Sequence, residues 1–195
     1  MNNIMFDIET MGNTPNAAII SIAAVYFDKT GTGRSFYKKV SLESSVEIGL
    51  EMDTSTVLWW LKQDDTARKE FETKGDPLYS VLRSLDSFIG KGCCIWGNGA
   101  SFDNVILANA YGKLKMETPW KFYNNRCFRT LKNLFPNVGI AANQNKHNAL
   151  DDALWQANYA VKILIWLDKL APVVSENPAP KNNLLTKLKT YFYAN

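Results

Sequence analysis

Ile4-Met5-Phe6-Asp7-Ile8-Glu9-Thr10, then Ala18-Ile19-Ile20-Ser21-Ile22-Ala23-Ala24-Val25-Tyr26-Phe27, then Ser35-Phe36-Tyr37-Lys38-Lys39-Val40 are the stretches whose reading decides the fold. Each holds a short apolar run rich in β-formers, and the turn residues Asp28 to Gly33 separate the second from the third. Strands 1 to 3 therefore read as an antiparallel meander. The period then changes. Thr54 to Lys62, Thr66 to Glu72 and Leu78 to Ile89 carry apolar residues at three- and four-residue spacing, the mark of helices packed on one face. Cys93-Cys94-Ile95-Trp96, between Gly92 and Gly97, fits a buried central strand, and Phe102 to Tyr111 reads as a helix up to Gly112. Cys127 to Leu134 reads as a short helix ending before Pro136. Ala149 to Leu170 reads as a long helix with the apolar set Ala153, Ala157, Ala160, Val161, Leu164 and Leu167. The expected class is α/β, a mixed central sheet with antiparallel strands 1–3 followed by parallel strands, flanked by helices. Ala171-Pro172 through Pro178-Ala179-Pro180 reads as a loop before a last helix. Residues 1–171 are thus expected to form one domain, with 172–195 a loop and C-terminal helix packed on it.

Composition sets wider bounds. A chain of 195 residues, 46% hydrophobic and 21% charged, is long enough for one well-filled core. The net charge of +3 leans basic, which suits a polyanionic partner without requiring one. The N-terminus has no basic region followed by a long apolar stretch, and no run of about 18 apolar residues occurs, so a cytoplasmic protein with no membrane partner is expected. Cys93, Cys94 and Cys127 are odd in number and two are adjacent, poor material for a disulfide framework or a zinc site; they read as reduced, buried packing residues.

The acids are more informative. Asp7 and Glu9 alternate with Ile8 on the first strand and so share a face. Two carboxylates about 5 to 7 Å apart beside a core are unfavourable unless cations neutralise them, and hard oxygen ligands suit Mg²⁺ or Mn²⁺. The competing reading has Asp7 capping a turn and Glu9 solvated at a strand end. Asp103 follows Gly97-Asn98-Gly99-Ala100-Ser101-Phe102, at the carboxyl end of a strand where open α/β sheets gather ligands. It reads equally well as a first-turn acid favoured by the helix dipole. His147, the only histidine, stands before Asp151 and Asp152 at the head of the long helix. On a continuous helix at about 100° per residue, Asp151 would stack over His147 and Asp152 would be turned about 140° away. If His147 and Asp152 serve one site, His147 lies before the regular helix or on a loop, for which Ala141 to Lys146 is polar enough.

The ordered set Asp7-x-Glu9-Thr10, Asn98-Gly-x-x-Phe102-Asp103 and His147-x-Ala149-x-x-Asp152-Ala153 resembles the three motifs of the DEDDh 3′-5′ exonuclease superfamily, which includes polymerase proofreading subunits and RNase T. Ser55 to Gln63 and Arg126 to Leu131 look like the small Rv2179c-like branch found in phages, prophages and mycobacteria. The resemblance spans residues 7–153 and implies a ribonuclease H-like fold. It also implies that Asp7, Glu9, Asp103 and Asp152 hold two ions, Mg²⁺ or Mn²⁺, about 4 Å apart. In that reading His147 takes the proton of the attacking water. The implied reaction removes 5′-mononucleotides from the 3′ end of single-stranded DNA or RNA, with the backbone at Thr10, Met11 and Gly12 around the terminal 3′-hydroxyl. Met11 or Phe102 would wedge against the last bases, or fill space beneath the site. Of Trp59 and Trp60, one is expected in the core and the other, taken as Trp59, at substrate. Arg126, Arg129, Lys113, Lys115 and Lys121 are available to phosphates or form a solvated face; Arg126 is the one assigned to substrate. The rivals are a catalytically silent nucleic-acid-binding module and an internal-cutting nuclease on the same fold. A homodimer is left open.

Overall fold

The structure is a computed structural model, which describes residues 1–68, 74–138, 140–143 and 147–175. Its strands are β1 (Asn3–Thr10), β2 (Ile19–Asp28), β3 (Gly31–Lys39), β4 (Cys94–Gly97) and β5 (Asn125–Cys127). Its helices are α1 (Leu42–Glu47), α2 (Thr54–Trp60), α3 (Asp65–Arg68), α4 (Leu78–Phe88), α5 (Asp103–Lys113), α6 (Phe128–Leu134) and α7 (Ala149–Ser175). Among the described residues these strands form one sheet in the order β3-β2-β1-β4-β5. β1 and β3 run antiparallel to β2, whereas β4 runs parallel to β1 and β5 parallel to β4. The expected meander followed by parallel strands is what the backbone adopts.

Alternation along β1 sorts the two faces. Ile4, Phe6 and Ile8 pack on one side with Trp60 of α2, Leu82 and Leu85 of α4 and Leu107 and Tyr111 of α5. Met5 points to the other side, into a cluster with Phe128 and Leu131 of α6 and Ala153, Ala157, Ala160 and Leu164 of α7. Asp7 and Glu9 continue the odd-numbered series, toward α7. The alanines at 153, 157 and 160 are fully buried and lie with Ala23 of β2. Such small side chains let a helix axis sit close to a sheet, so the N-terminal turn of α7 is brought down on the carboxylate-bearing end of β1.

Several boundaries depart from the sequence reading. Gly112 does not end α5, which continues to Lys113. Cys127 closes β5 and caps α6, its sulfur accepting the Thr130 N–H at 3.4 Å, and Cys94 and Cys127 are half-buried where full burial is expected; only Cys93 is buried. α7 passes through Pro172 to Ser175 where a loop is expected: a proline there forfeits its own ladder bond with few bonds left beyond it, so the helix end tolerates it. α1 and β5 escape the sequence reading because each is short and carries no strong period. The helix expected over 66–72 appears as α3; residues 69–73 and 176–195, with the expected terminal helix, lie outside the described residues. Among the described residues no helix is long and apolar enough to cross a membrane.

Because Ala157 is fully buried between α7 and the sheet, Ala157→Leu should overpack the interface and cost about 1–3 kcal/mol. Urea unfolding measures it, and a midpoint equal to that of the unsubstituted chain would show that α7 does not depend on this close approach.

Candidate active site

β1 outruns its parallel neighbour. Pairing with β4 ends at Met5 opposite Trp96, and the Ile8 N–H that a longer strand would have bonded goes instead to Asp103 Oδ1 at 3.3 Å. Asp103 Oδ2 accepts the Asn98 N–H at 2.8 Å, so this carboxylate ties the end of β1 to the loop leaving β4. Gly97 makes the approach feasible: a Cβ there would lie 2.9 Å from Asp103 Oδ2 and 3.0 Å from its Cβ. Where β1 passes Glu9 the antiparallel register with β2 shifts, a bulge at the strand's functional end.

His147 sits with φ 67° in a turn before α7, as the five-residue spacing to Asp152 requires. Its N–H donates to Asp152 Oδ2 at 2.9 Å, and Asn143 Nδ2 donates to Asp152 Oδ1 at 2.7 Å. The imidazole stands edge-on to Trp59, ring centroids 4.8 Å apart. Residues 144–146 of the expected loop are outside the described residues.

Asp7, Glu9, Asp103, His147 and Asp152 line one cavity of about 470 Å³. One oxygen from each of Asp7, Glu9 and Asp152 lies within 4.8 Å of the other two. Three hard, anionic donors so close together fit a divalent cation such as Mg²⁺ or Mn²⁺. Asp103 borders this trio with both oxygens on backbone donors. Burial, followed by the charges of Asp103, Glu9 and Asp152, pushes the Asp7 carboxyl well above its usual range, partly opposed by a hydrogen bond from Gln156. Burial also pushes Asp103 up to about 6 against the backbone N–H groups and the Arg129 charge that lower it.

The residues proposed for substrate separate. Phe102 lines the cavity. Trp59 is 40% exposed and borders it through His147, while Trp60 is buried and donates its indole N–H to the Thr10 carbonyl at 3.0 Å. Met11 is buried in the core, its N–H donated to Ala18 and its carbonyl accepting from Asp53. Thr10 Oγ1 donates to the Gly12 carbonyl at 2.6 Å. Arg126 turns its guanidinium to the carbonyls of Tyr123 and Asn125, and Arg129 and Lys132 of α6 reach the cavity in its place. Lys113 is engaged with the Gly49 carbonyl. Sequence reasoning passes over Gln156, which is 2% exposed and donates Nε2 to Asp7 Oδ1 at 2.6 Å. Its Oε1 has no protein partner among the described residues. The available signal is a polar side chain four residues after Asp152, on the face that Ala153, Ala157 and Ala160 press against the sheet.

The 3′-5′ exoribonuclease Rv2179c-like domain family matches residues 2–164. The chain belongs to this family of 3′-5′ exonuclease domains. The chain is also similar to the exodeoxyribonuclease of Enterobacteria phage T4, 26% identical over 162 residues, 67% of this chain and 70% of that protein. Among solved structures, E. coli exonuclease I with a dT13 oligonucleotide superposes with a TM-score of 0.62 at 16% identity, over 89% of this chain and 42% of that one. The zinc-bound form of the E. coli exonuclease I–single-stranded DNA complex gives 0.60 at 16% identity, over 86% and 42%. The chain spans less than half the length of these exonuclease I chains, and the likeness establishes the fold, the ribonuclease H-like one.

For Asp7 and Asp103 the folded pKa lies above the ordinary 3.8, so the chelator-treated fold binds protons more tightly than the unfolded chain. That contribution to stability is complete below the ordinary value and is lost as pH rises through the folded one, from about pH 4 through about pH 6 for Asp103. In chelator, Asp7→Asn should raise Tm at neutral pH and flatten the decline, since it removes one of the repelling charges; carboxylates elsewhere cancel in the difference. Melting curves across this range check it, and a variant less stable than the parent at neutral pH would contradict it.

Proposed function

We propose that the cleft is the active centre of a metal-dependent 3′-to-5′ exonuclease that removes 5′-mononucleotides from the 3′ end of single-stranded DNA or RNA. The observation that carries this reading is the meeting of the Asp7, Glu9 and Asp152 oxygens within 4.8 Å in a cavity that His147 also lines. Asp7, Glu9 and Asp152 would hold one ion, with Asp7 and Asp103 toward a second. When bound, paired Mg²⁺ or Mn²⁺ ions supply Lewis-acid activation of water and neutralise charge developing at phosphorus.

The chain's own residues do the rest. His147 is assigned as general base: histidine is the side chain whose ordinary titration spans neutral pH, and the imidazole lines the cleft beside the trio. Its edge-on contact with Trp59 limits the directions in which the ring can lie. Asn143 and the His147 N–H orient Asp152, and Gln156 orients Asp7, so these two ligands are aimed before an ion arrives. Thr10, Met11 and Gly12 are engaged in holding the end of β1, and we assign them the wall beside the terminal nucleotide rather than direct contact. The family's name speaks of RNA and the phage relative's of DNA, so both polymers belong in the test.

With a single-stranded oligonucleotide labelled at its 5′ end and Mg²⁺ or Mn²⁺ present, the chain should give progressive shortening from the 3′ end on DNA, RNA or both. His147→Ala should lower turnover about 10²- to 10⁴-fold, the usual scale of general-base catalysis, while calorimetric Mn²⁺ binding survives. Full turnover in His147→Ala removes the imidazole from the mechanism. Binding without cleavage of either polymer favours a silent module, and cleavage of a circular single strand favours internal cutting.

A further inference from the structure

We propose that a second groove, continuous with the cleft across Phe102 and Arg129, seats the single strand upstream of the bond being cut; the proposal deepens the exonuclease reading and rests on it. The groove measures about 380 Å³ and lies between the loop that leaves β4 and the outer face of α6, with Ser101, Thr130 and Asn133 on its walls. Phe102 and Arg129 line both cavities. A volume of this size lies within the range of about 300–1,000 Å³ that holds small ligands, enough for a nucleotide unit.

Charge selects this exit. A 3′ end seated at the trio leaves behind it a chain with one negative charge per phosphodiester, which the acidic wall of β1 repels. The α6 wall has the opposite sign: Arg129 is exposed, and Lys132 rests 5.5 Å above the Trp155 ring. A phosphate crossing from one cavity to the other must pass Arg129. Beyond it, Ser101, Thr130 and Asn133 present neutral polar groups, suited to sequence-independent contact with phosphate and sugar. Phe102, partly buried against the core, lines both cavities and is the aromatic side chain assigned to stack with the base that lies between them.

Asn133 lies in the groove and outside the cleft, so its charge variants separate the two. Asn133→Glu should weaken, and Asn133→Lys tighten, binding of a fluorescent single-stranded oligonucleotide in chelator, each by about three- to fivefold, the scale of an exposed ion pair. KM for the oligonucleotide should move in the same directions. Hydrolysis of a 5′-mononucleotide p-nitrophenyl ester, which has a leaving group and no upstream strand, should not change. Arg129→Gln should reduce the slope of log Kd against log salt by about 0.7, the share of one phosphate on a single strand. Opposite signs at Asn133 cannot come from misfolding. Equal binding by the two Asn133 variants, equal effects on oligonucleotide and ester, or an unchanged salt slope in Arg129→Gln overturns the groove and leaves the exonuclease reading standing. If the unsubstituted chain hydrolyses neither substrate, the exonuclease reading falls and the binding measurements alone decide the groove.

Discussion

Burial and the charges of its acidic neighbours both act against the ionised form of Asp7, and burial acts likewise on Asp103. The fold answers with neutral donors. Asp103 receives the N–H groups of Ile8 and Asn98, Asp152 those of Asn143 and His147, and Asp7 the amide of Gln156. An amide donor fixes a carboxylate in place without cancelling its charge, whereas a lysine at that distance would form an ion pair and compete with an incoming cation. Of the two cations that reach the cleft, Arg129 acts on Asp103, the acid whose oxygens are already taken by backbone, and Lys132 rests over the Trp155 ring. Negative charge is thus left where the trio meets, and the energy that a cation would recover is held in the folded chain.

Holding acids this close depends on what is missing as much as on what is present. β4 stops pairing with β1 after Trp96, which frees the Ile8 N–H for Asp103. Gly97 has no Cβ to strike that carboxylate, and the alanines of α7 let Asp152 and Gln156 come down on Asp7. Larger residues at these places would keep every catalytic-type side chain in the sequence and still pull the constellation apart.

That distinction also marks what the sequence reveals. Asp7 and Glu9 follow from two-residue alternation on a strand, and the displacement of His147 from the helix follows from the five-residue interval to Asp152; both rest on backbone geometry that any sequence obeys. Trp59 and Trp60 part for the same reason, as adjacent positions on a helix face different ways. What local pattern cannot carry is the choice of partner across the fold. Gln156 meets Asp7 over 149 residues of chain, and nothing local sets it apart from a helix-favouring glutamine. Arg126 and Arg129 are equivalent in composition; only the short strand β5, with its neighbouring carbonyls, turns the first away from the cleft. Pro172 is a strong local stop signal overridden in a helix anchored over its preceding turns by Ala160, Leu164 and Leu167.

The turn at His147 joins these threads. A non-glycine residue in the left-handed region costs about 1–3 kcal/mol and persists where its surroundings over-determine it. Here the His147 N–H is committed to Asp152 Oδ2, and the ring is set against Trp59 and, farther off, Trp60. One hydrogen bond therefore serves two purposes, orienting a carboxylate of the trio and fixing the backbone from which the imidazole projects. A backbone displacement at His147 must break that bond, so the origin of the imidazole and the aim of Asp152 are linked, while rotation of the ring itself is opposed by the indole contacts. The strained turn keeps the Asp152 carboxylate and the imidazole in register at the start of one helix, where both line the same cavity.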